Sequence, residues 1–380
     1  MFRSKGTGRA TEAPRRWKEI PSPFHREPAL TTTTIQHEDQ AIELVDLRPD
    51  RLLEFVGEDL MMGADRARII ERLAAERILA TPDVLAQIDR IAETPAIQVG
   101  RRLALRLKKR SWLLSTLFRL ADDAGQMAQV PRVSDLSQDA FLHQYYARNL
   151  PVVLAGAAAG WPAVARWTPD YLKQRIGDHM VQVQADRTSD PDYELYKDRH
   201  ARQMPFSDFL DRITRADGTG NDLYMTAYNA SENDGALSAI RGDMGMIDRY
   251  LDPTADNRHG LMWIGPAGTV TPMHHDLTNN LLVQVVGRKV VKLVPAIQAD
   301  AMYNHVHVFS ALGDIERPDF EAERFPDFAQ ARVLDVALLP GDALFLPIGW
   351  WHQVRSLDFS VTLTYTNFHW NNSHHQSYPS

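Results

Sequence analysis

Two histidines and one carboxylate in this chain have the types and spacing of a metal site. The run Thr271-Pro272-Met273-His274-His275-Asp276 is followed far downstream by Gly349-Trp350-Trp351-His352. Successive side chains of a β-strand point to opposite faces, so a strand here puts His274 and Asp276 on one face and His275 on the other. One strand thereby supplies two ligands. A second strand carrying His352 would close a 2-His-1-carboxylate set on one side of a metal and leave positions open for cosubstrate and oxygen, as non-haem Fe(II) oxygenases require. These residues alone predict an oxidative enzyme.

The chain has no cysteine. Disulfides, thiolate ligands and cysteine nucleophiles are therefore excluded, and any metal is bound by histidine and carboxylate. His275 is expected to be packed or hydrogen-bonded away from the metal, and His374 and His375 to be solvated in a polar tail. Trp161, Trp167 and Trp263 read as core; Trp350 and Trp351, flanking the ligand strand, suit either core or site.

The elements that must position these groups follow from periodicity. From Leu223 onward short apolar runs alternate with turn residues: strands are predicted at about 223–227, 261–265, 270–276, 280–286, 289–294, 335–339, 343–347, 351–355 and 359–367. So many short strands predict an antiparallel barrel or sandwich. Between 131 and 223 the pattern gives helices at Asp139–Arg148, Pro169–Ile176 and Pro205–Ile213 and a buried strand at Pro151–Leu154. Ahead of these, residues 39–126 read as a bundle of three to five helices, with Ile70, Leu73, Ala74 and Ile78, then Val84, Ile88 and Ile91, at helical spacing. Residues 1–38, rich in Pro, Arg and Thr, read as a flexible arm, and 371–380 as a polar tail.

The last helix of the bundle, about Ile97 to Ala121, carries Arg101, Arg102, Arg106, Lys108, Lys109 and Arg110 beside Leu103, Leu107, Leu114 and Leu117. It is either an ordinary helix with a solvated charged face or a docking surface for an acidic partner or polyanion. The net charge of −7 over 380 residues argues against whole-surface attraction to nucleic acid. The N-terminus lacks the apolar stretch of a secretory signal, and no apolar run is long enough to span a bilayer. Cytoplasm is the expected compartment, and no membrane partner is expected.

The text Gly265-Pro266-Ala267-Gly268-Thr269-Val270-Thr271-Pro272-Met273-His274-His275-Asp276, with Asn280, Gly287-Arg288-Lys289, Glu323-Arg324-Phe325-Pro326, Pro340-Gly341-Asp342, Trp350-Trp351-His352 and Asn367-Phe368, resembles the Jumonji-C or cupin-like Fe(II)- and 2-oxoglutarate-dependent hydroxylases. Its motifs are nearest to the asparaginyl hydroxylases that inhibit hypoxia-inducible factor. The resemblance covers about residues 131–370 and implies a double-stranded β-helix (jelly-roll) catalytic domain behind the helical one. It implies His274, Asp276 and His352 as iron ligands, Lys289 as the cation for the distal carboxylate of 2-oxoglutarate, Thr271 and Tyr224 as added hydrogen-bonding groups, and Asn280 and Asn367 as pocket-lining residues. Fe(II), 2-oxoglutarate and O2 are the implied cofactors. His305 and His307 alternate like a strand pair, but the family pattern gives them no further ligand, so they read as a substrate-loop or structural pair.

The implied reaction is hydroxylation of a peptide or protein side chain. The alternatives are an oxygenase acting on RNA or a small molecule, and a non-catalytic cupin-fold scaffold. The helices that mediate dimerisation in the asparaginyl hydroxylases after the barrel have no counterpart in the pattern here, so a homodimer is expected through the N-terminal helices, about residues 42–124.

Overall fold

The computed structural model describes residues 32–37, 40–45, 49–75, 78–215 and 218–379. The expected arm lies outside the described residues except for Thr32–His37, which pairs antiparallel with Gln40–Val45. This hairpin stands where the helical bundle was expected to begin at residue 39. The chain divides into compact units 1–109 and 110–380, so the division falls within the last helix and not after residue 126.

In the first unit the helices α1 (Pro49–Met62), α2 (Arg66–Ala75), α3 (Pro82–Ala92) and the first turns of α4 (Pro95–Asp123) bury Leu52, Val56, Leu60, Ile69, Leu73, Val84, Ile88, Ile91 and Ile97 together. Thr81 caps α3 by accepting from the Val84 amide at 3.3 Å, and Pro82 opens it, the arrangement that satisfies otherwise orphaned amides at a helix start. Ile69, not Ile70, is the residue that faces inward on α2. Along α4 only Ile97 and Ala104 are buried; Leu103, Leu107 and Leu117, expected on a packed face, are about half exposed.

In the second unit eight strands form a jelly roll: β1 Leu261–Gly265, β2 Val270–His275, β3 Asn280–Val286, β4 Lys289–Val294, β5 Leu334–Leu338, β6 Ala343–Leu346, β7 Trp351–Ser356 and β8 Ser360–Tyr365. One sheet runs β2-β7-β4-β5, the other β6-β3-β8-β1, all neighbours antiparallel. Short strands extend each sheet, Phe309–Ser310 beside β2 and Val152–Leu154 beside β6. The segment 223–227, predicted as a strand, contributes only single bridges from Tyr224 to Gln184 and from Met225 to Ile264.

The two faces of the second sheet have different partners. Val361, Leu363, Tyr365, Val283 and Phe345 pack outward in a core that includes residues of the helices Pro169–Ile176 and Phe206–Thr214. Leu282, Leu344 and Leu346 face inward and meet Val291, Leu293, Val336 and Leu338 of the first sheet. This filling leaves open the part of the interior lined by the metal-ligand candidates. The turn from β3 to β4 crosses from one sheet to the other against the β7–β8 turn: Gly287 has φ +71°, and a Cβ there would lie 2.1 Å from the Phe359 carbonyl oxygen.

Candidate active site

His274 and His352 sit directly opposite each other in the β2–β7 ladder, which brings their rings to 4.0 Å between centroids. Asp276 follows the end of β2, held there by the Gly349 amide, which donates to its carbonyl at 3.1 Å. One ligand atom from each of the three residues lies within 4.8 Å of the others. His275 takes the opposite face as alternation predicts; it is buried with its ring edge-on to Trp351.

Backbone carbonyls set the imidazole tautomers. Nδ1 of His274 lies 2.7 Å from the Pro272 carbonyl and Nδ1 of His352 lies 3.0 Å from that of Trp350. A carbonyl only accepts, so each Nδ1 carries the proton and each Nε2 keeps its lone pair for a metal. Burial, with the neighbouring His274 second, holds His352 down to about 3, so it is neutral at ordinary pH. The Asn280 amide donates to Oδ2 of Asp276 and orients that carboxylate. Two neutral nitrogens and one carboxylate on one side of an open cavity fit a facial iron site.

The cavity has a volume of about 310 Å³ and is lined by the triad together with Thr271, Tyr224, Lys289 and Asn280. Lys289 is 3% exposed and donates to the Tyr224 hydroxyl at 3.3 Å. Among the described residues it has no ion-pair partner, and burial lowers it from 10.5 to about 7. A buried ammonium without a counter-charge is costly, and the distal carboxylate of 2-oxoglutarate is a group that would neutralise it. Burial raises Tyr224 well above the usual phenol range, so it stays a neutral donor beside Thr271.

Thr271 and His274 are three residues apart, which strict alternation would put on opposite faces. The ladder slips by one residue between His352 and Val354, so β2 carries an extra residue opposite β7 and both side chains face the cavity. Pro272, which has no amide to donate, lies at the slip.

Two expected placements are corrected. Asn367 is not among the cavity-lining residues: its amide donates to the Asp252 carbonyl at 2.8 Å, and the neighbour that faces the cavity is Thr366. Trp263, expected in the core, is partly exposed and lines the cavity, with Nε1 donating to Thr364 at 3.2 Å. His307 is in a turn with φ +47°, and the side chain of His305 lies outside the described residues.

Several lining residues escaped the sequence reading. Thr362, Thr364 and Thr366 line the cavity, and their period-2 spacing between the core residues Val361, Leu363 and Tyr365 was a legible signal. Glu194 lies in a turn, Lys197 opens the one-turn helix Lys197–His200 and Tyr228 sits in the 3-10 turn Ala227–Asn229, pieces too short to carry such a signal. Behind Tyr224 the fully buried Arg187 pairs with Glu194 at 2.8 Å and stacks on Tyr193 and Tyr224.

Comparison with known proteins agrees with this geometry. The cupin-like domain family matches residues 137–376. A lysine-specific demethylase of Arabidopsis thaliana is 30% identical over 64% of this chain and 55% of its own length. Lysine-specific demethylase 8 of Xenopus tropicalis is 29% identical over 62% and 52%, and tRNA wybutosine-synthesizing protein 5 of Gallus gallus is 30% identical over 62% and 76%. The match thus spans a little over half the length of the two demethylases. The chain belongs to the cupin-like Jumonji-C family, whose cofactors are Fe(II), 2-oxoglutarate and O2.

Proposed function

We propose that the chain is an Fe(II)- and 2-oxoglutarate-dependent dioxygenase that hydroxylates a side chain of a peptide or protein. The observation that carries this reading is the combination, in one cavity, of the His274-Asp276-His352 set with the uncompensated Lys289 ammonium. Iron held by the triad would supply the oxidising chemistry, one O2 giving hydroxylated substrate while 2-oxoglutarate becomes succinate and CO2. His274 and His352 offer fixed Nε2 lone pairs, and Asp276 offers an oxygen aligned by Asn280. Lys289, with Tyr224 and Thr271 beside it, holds the distal carboxylate. Trp263, Glu194, Lys197 and Tyr228 line the same cavity and are placed to read the substrate.

The names of the two demethylases favour a protein substrate; hydroxylation of an N-methyl carbon on such a substrate would release formaldehyde and give demethylation as the net result. The direct test is succinate formation from 2-oxoglutarate with Fe(II), aerobic against anaerobic. Oxygen-dependent turnover is expected in the wild type, is expected to vanish in His274→Ala and Asp276→Ala without loss of the fold, and in Lys289→Ala is expected to need far more 2-oxoglutarate. Turnover that persists in both ligand variants would remove the metal assignment.

A second reading, action on RNA, is favoured by the coverage of 76% of the wybutosine-synthesizing relative and by the basic run Arg101 to Arg110. Retention of tRNA that weakens steeply with added salt would support it. We further propose that two copies associate through α4, whose Trp112, Leu113, Leu117 and Leu120 are exposed in one chain.

A further inference from the structure

The loop that carries Asp276 and the loop that leads into the strand of His352 are tied together by asparagines, one of which comes from outside the barrel. The loop from Asp276 to Asn280 holds Asn279, which is 3% exposed. Oδ1 of Asn279 accepts from the Ile348 amide at 2.8 Å, in the loop that leads to His352. The adjacent Gly349 amide donates to the Asp276 carbonyl. Ile348 is held from its other side by Asn149, whose Nδ2 donates to its carbonyl at 2.9 Å.

Asn279 is itself fixed by Asn372. The Asn279 amide donates to Oδ1 of Asn372 at 2.7 Å, and Nδ2 of Asn372 donates back to the Asn279 carbonyl at 2.9 Å and to the Thr366 carbonyl at 2.8 Å. A side-chain amide here does what a neighbouring strand would do for Asn279, where β2 has ended and β3 has not begun. Buried backbone groups in such a gap need a partner. The segment that delivers Asn372 is anchored on both sides: Trp370 packs on Phe141 and Tyr146, and the Tyr378 hydroxyl donates to the His307 carbonyl at 2.8 Å. His374 and His375 are exposed between these two anchors.

We propose that Asn372 is a positioning residue of the metal centre: through Asn279 and Ile348 it fixes the segment of Asp276 and Asn280 relative to the loop that leads into β7, the strand of His352. This rests on the metal reading given above. Asn372 touches no ligand atom, and its effect is on the geometry and affinity of the site, because outer partners of metal ligands govern affinity by about 10- to 100-fold.

The test is Co(II) binding to the purified chain, followed by calorimetry and by the visible absorption of the bound ion. Asn372→Ala is expected to weaken Co(II) binding by about tenfold or more and to alter the absorption bands, while circular dichroism without metal stays that of the wild type. Asn371→Ala is the control, because the Asn371 side chain bonds only to Ser373 among the described residues; its Co(II) affinity and spectrum are expected to be unchanged. Wild-type affinity and spectrum in Asn372→Ala, or an equal loss in Asn371→Ala, would overturn the proposal. If Asn372→Ala fails to fold, Asn372→Asp carries the test, since it keeps the acceptor for the Asn279 amide and loses both donated bonds; unchanged Co(II) affinity there would overturn it. Failure of the wild type to bind Co(II) would instead remove the metal reading and this inference with it, whereas loss of binding in His274→Ala beside a normal Asn372→Ala would leave the metal reading standing and remove this inference alone.

Discussion

Burial takes the Lys289 ammonium from 10.5 to about 7, so near neutrality about half the molecules without cosubstrate carry the charge. Above pH 7 the protein must take up a proton to hold a carboxylate there. The dissociation constant of 2-oxoglutarate is therefore expected to rise by about tenfold per pH unit between 7 and 9, measured by anaerobic calorimetry; a flat profile would contradict the role given to Lys289. Stability without cosubstrate has its own sign. The unfolded lysine keeps its proton to about 10.5 while the folded one loses it near 7, so this group's contribution grows with pH across that window and is lost as pH falls through 7. Lys289→Met is expected to remove that part of the pH dependence of the melting temperature. It should also weaken 2-oxoglutarate by roughly 1.5–3 kcal/mol, or about 10- to 150-fold.

At the scale of the elements, the turn that carries the chain from β3 in one sheet to β4 in the other sets where Lys289, the first residue of β4, enters the barrel, and the packing behind β6 supports the second sheet. Gly287→Ala would combine a φ of +71° with a Cβ 2.1 Å from the Phe359 carbonyl oxygen, and the backbone cannot move away without shifting β4 against β7. That variant is expected to be largely unfolded by circular dichroism at 25 °C, and a native melting curve would show that the turn is more pliable than its contacts imply. Phe345 of β6 is fully buried, with ring centroids 4.9 Å from Phe141, 5.6 Å from Tyr146 and 5.6 Å from Phe368. Phe345→Ala is expected to cost about 3–5 kcal/mol in urea unfolding, since the surrounding aromatic rings can refill only part of the space.

For the molecule as a whole, α4 leaves large apolar side chains in water: Trp112 is 64% and Leu120 61% exposed. Association of two copies through this helix is the proposal that covers it. Light scattering at micromolar concentration is expected to give the mass of a dimer for the wild type and of a monomer for Leu113→Glu combined with Leu117→Glu; a monomeric wild type would leave this face to another partner. The described helices contain none long and apolar enough to cross a membrane.

Much of the barrel could be read from the chain because strand alternation and turn residues are local. β1, β3 and β4 lie where periodicity places them, and the pairing of His274 with Asp276 on one face needed only the two-residue repeat. The same locality explains the misses. Thr271 faces the cavity because β2 slips by one residue against β7, and that slip is a property of the ladder and not of β2 alone. Leu103, Leu107 and Leu117 sit at helical spacing on α4, yet spacing says only that side chains share a face and cannot say whether anything covers it. Tyr224 reached the cavity through single bridges and not a strand, while Glu194 and Asn372 come from irregular chain whose path is set by what it meets: Arg187 for Glu194, and the backbone of Asn279 for Asn372. The sequence determined which residues could hold a metal and which strands would carry them; tertiary contacts decided what else surrounds that metal, because the partners that steer those segments lie far away along the chain.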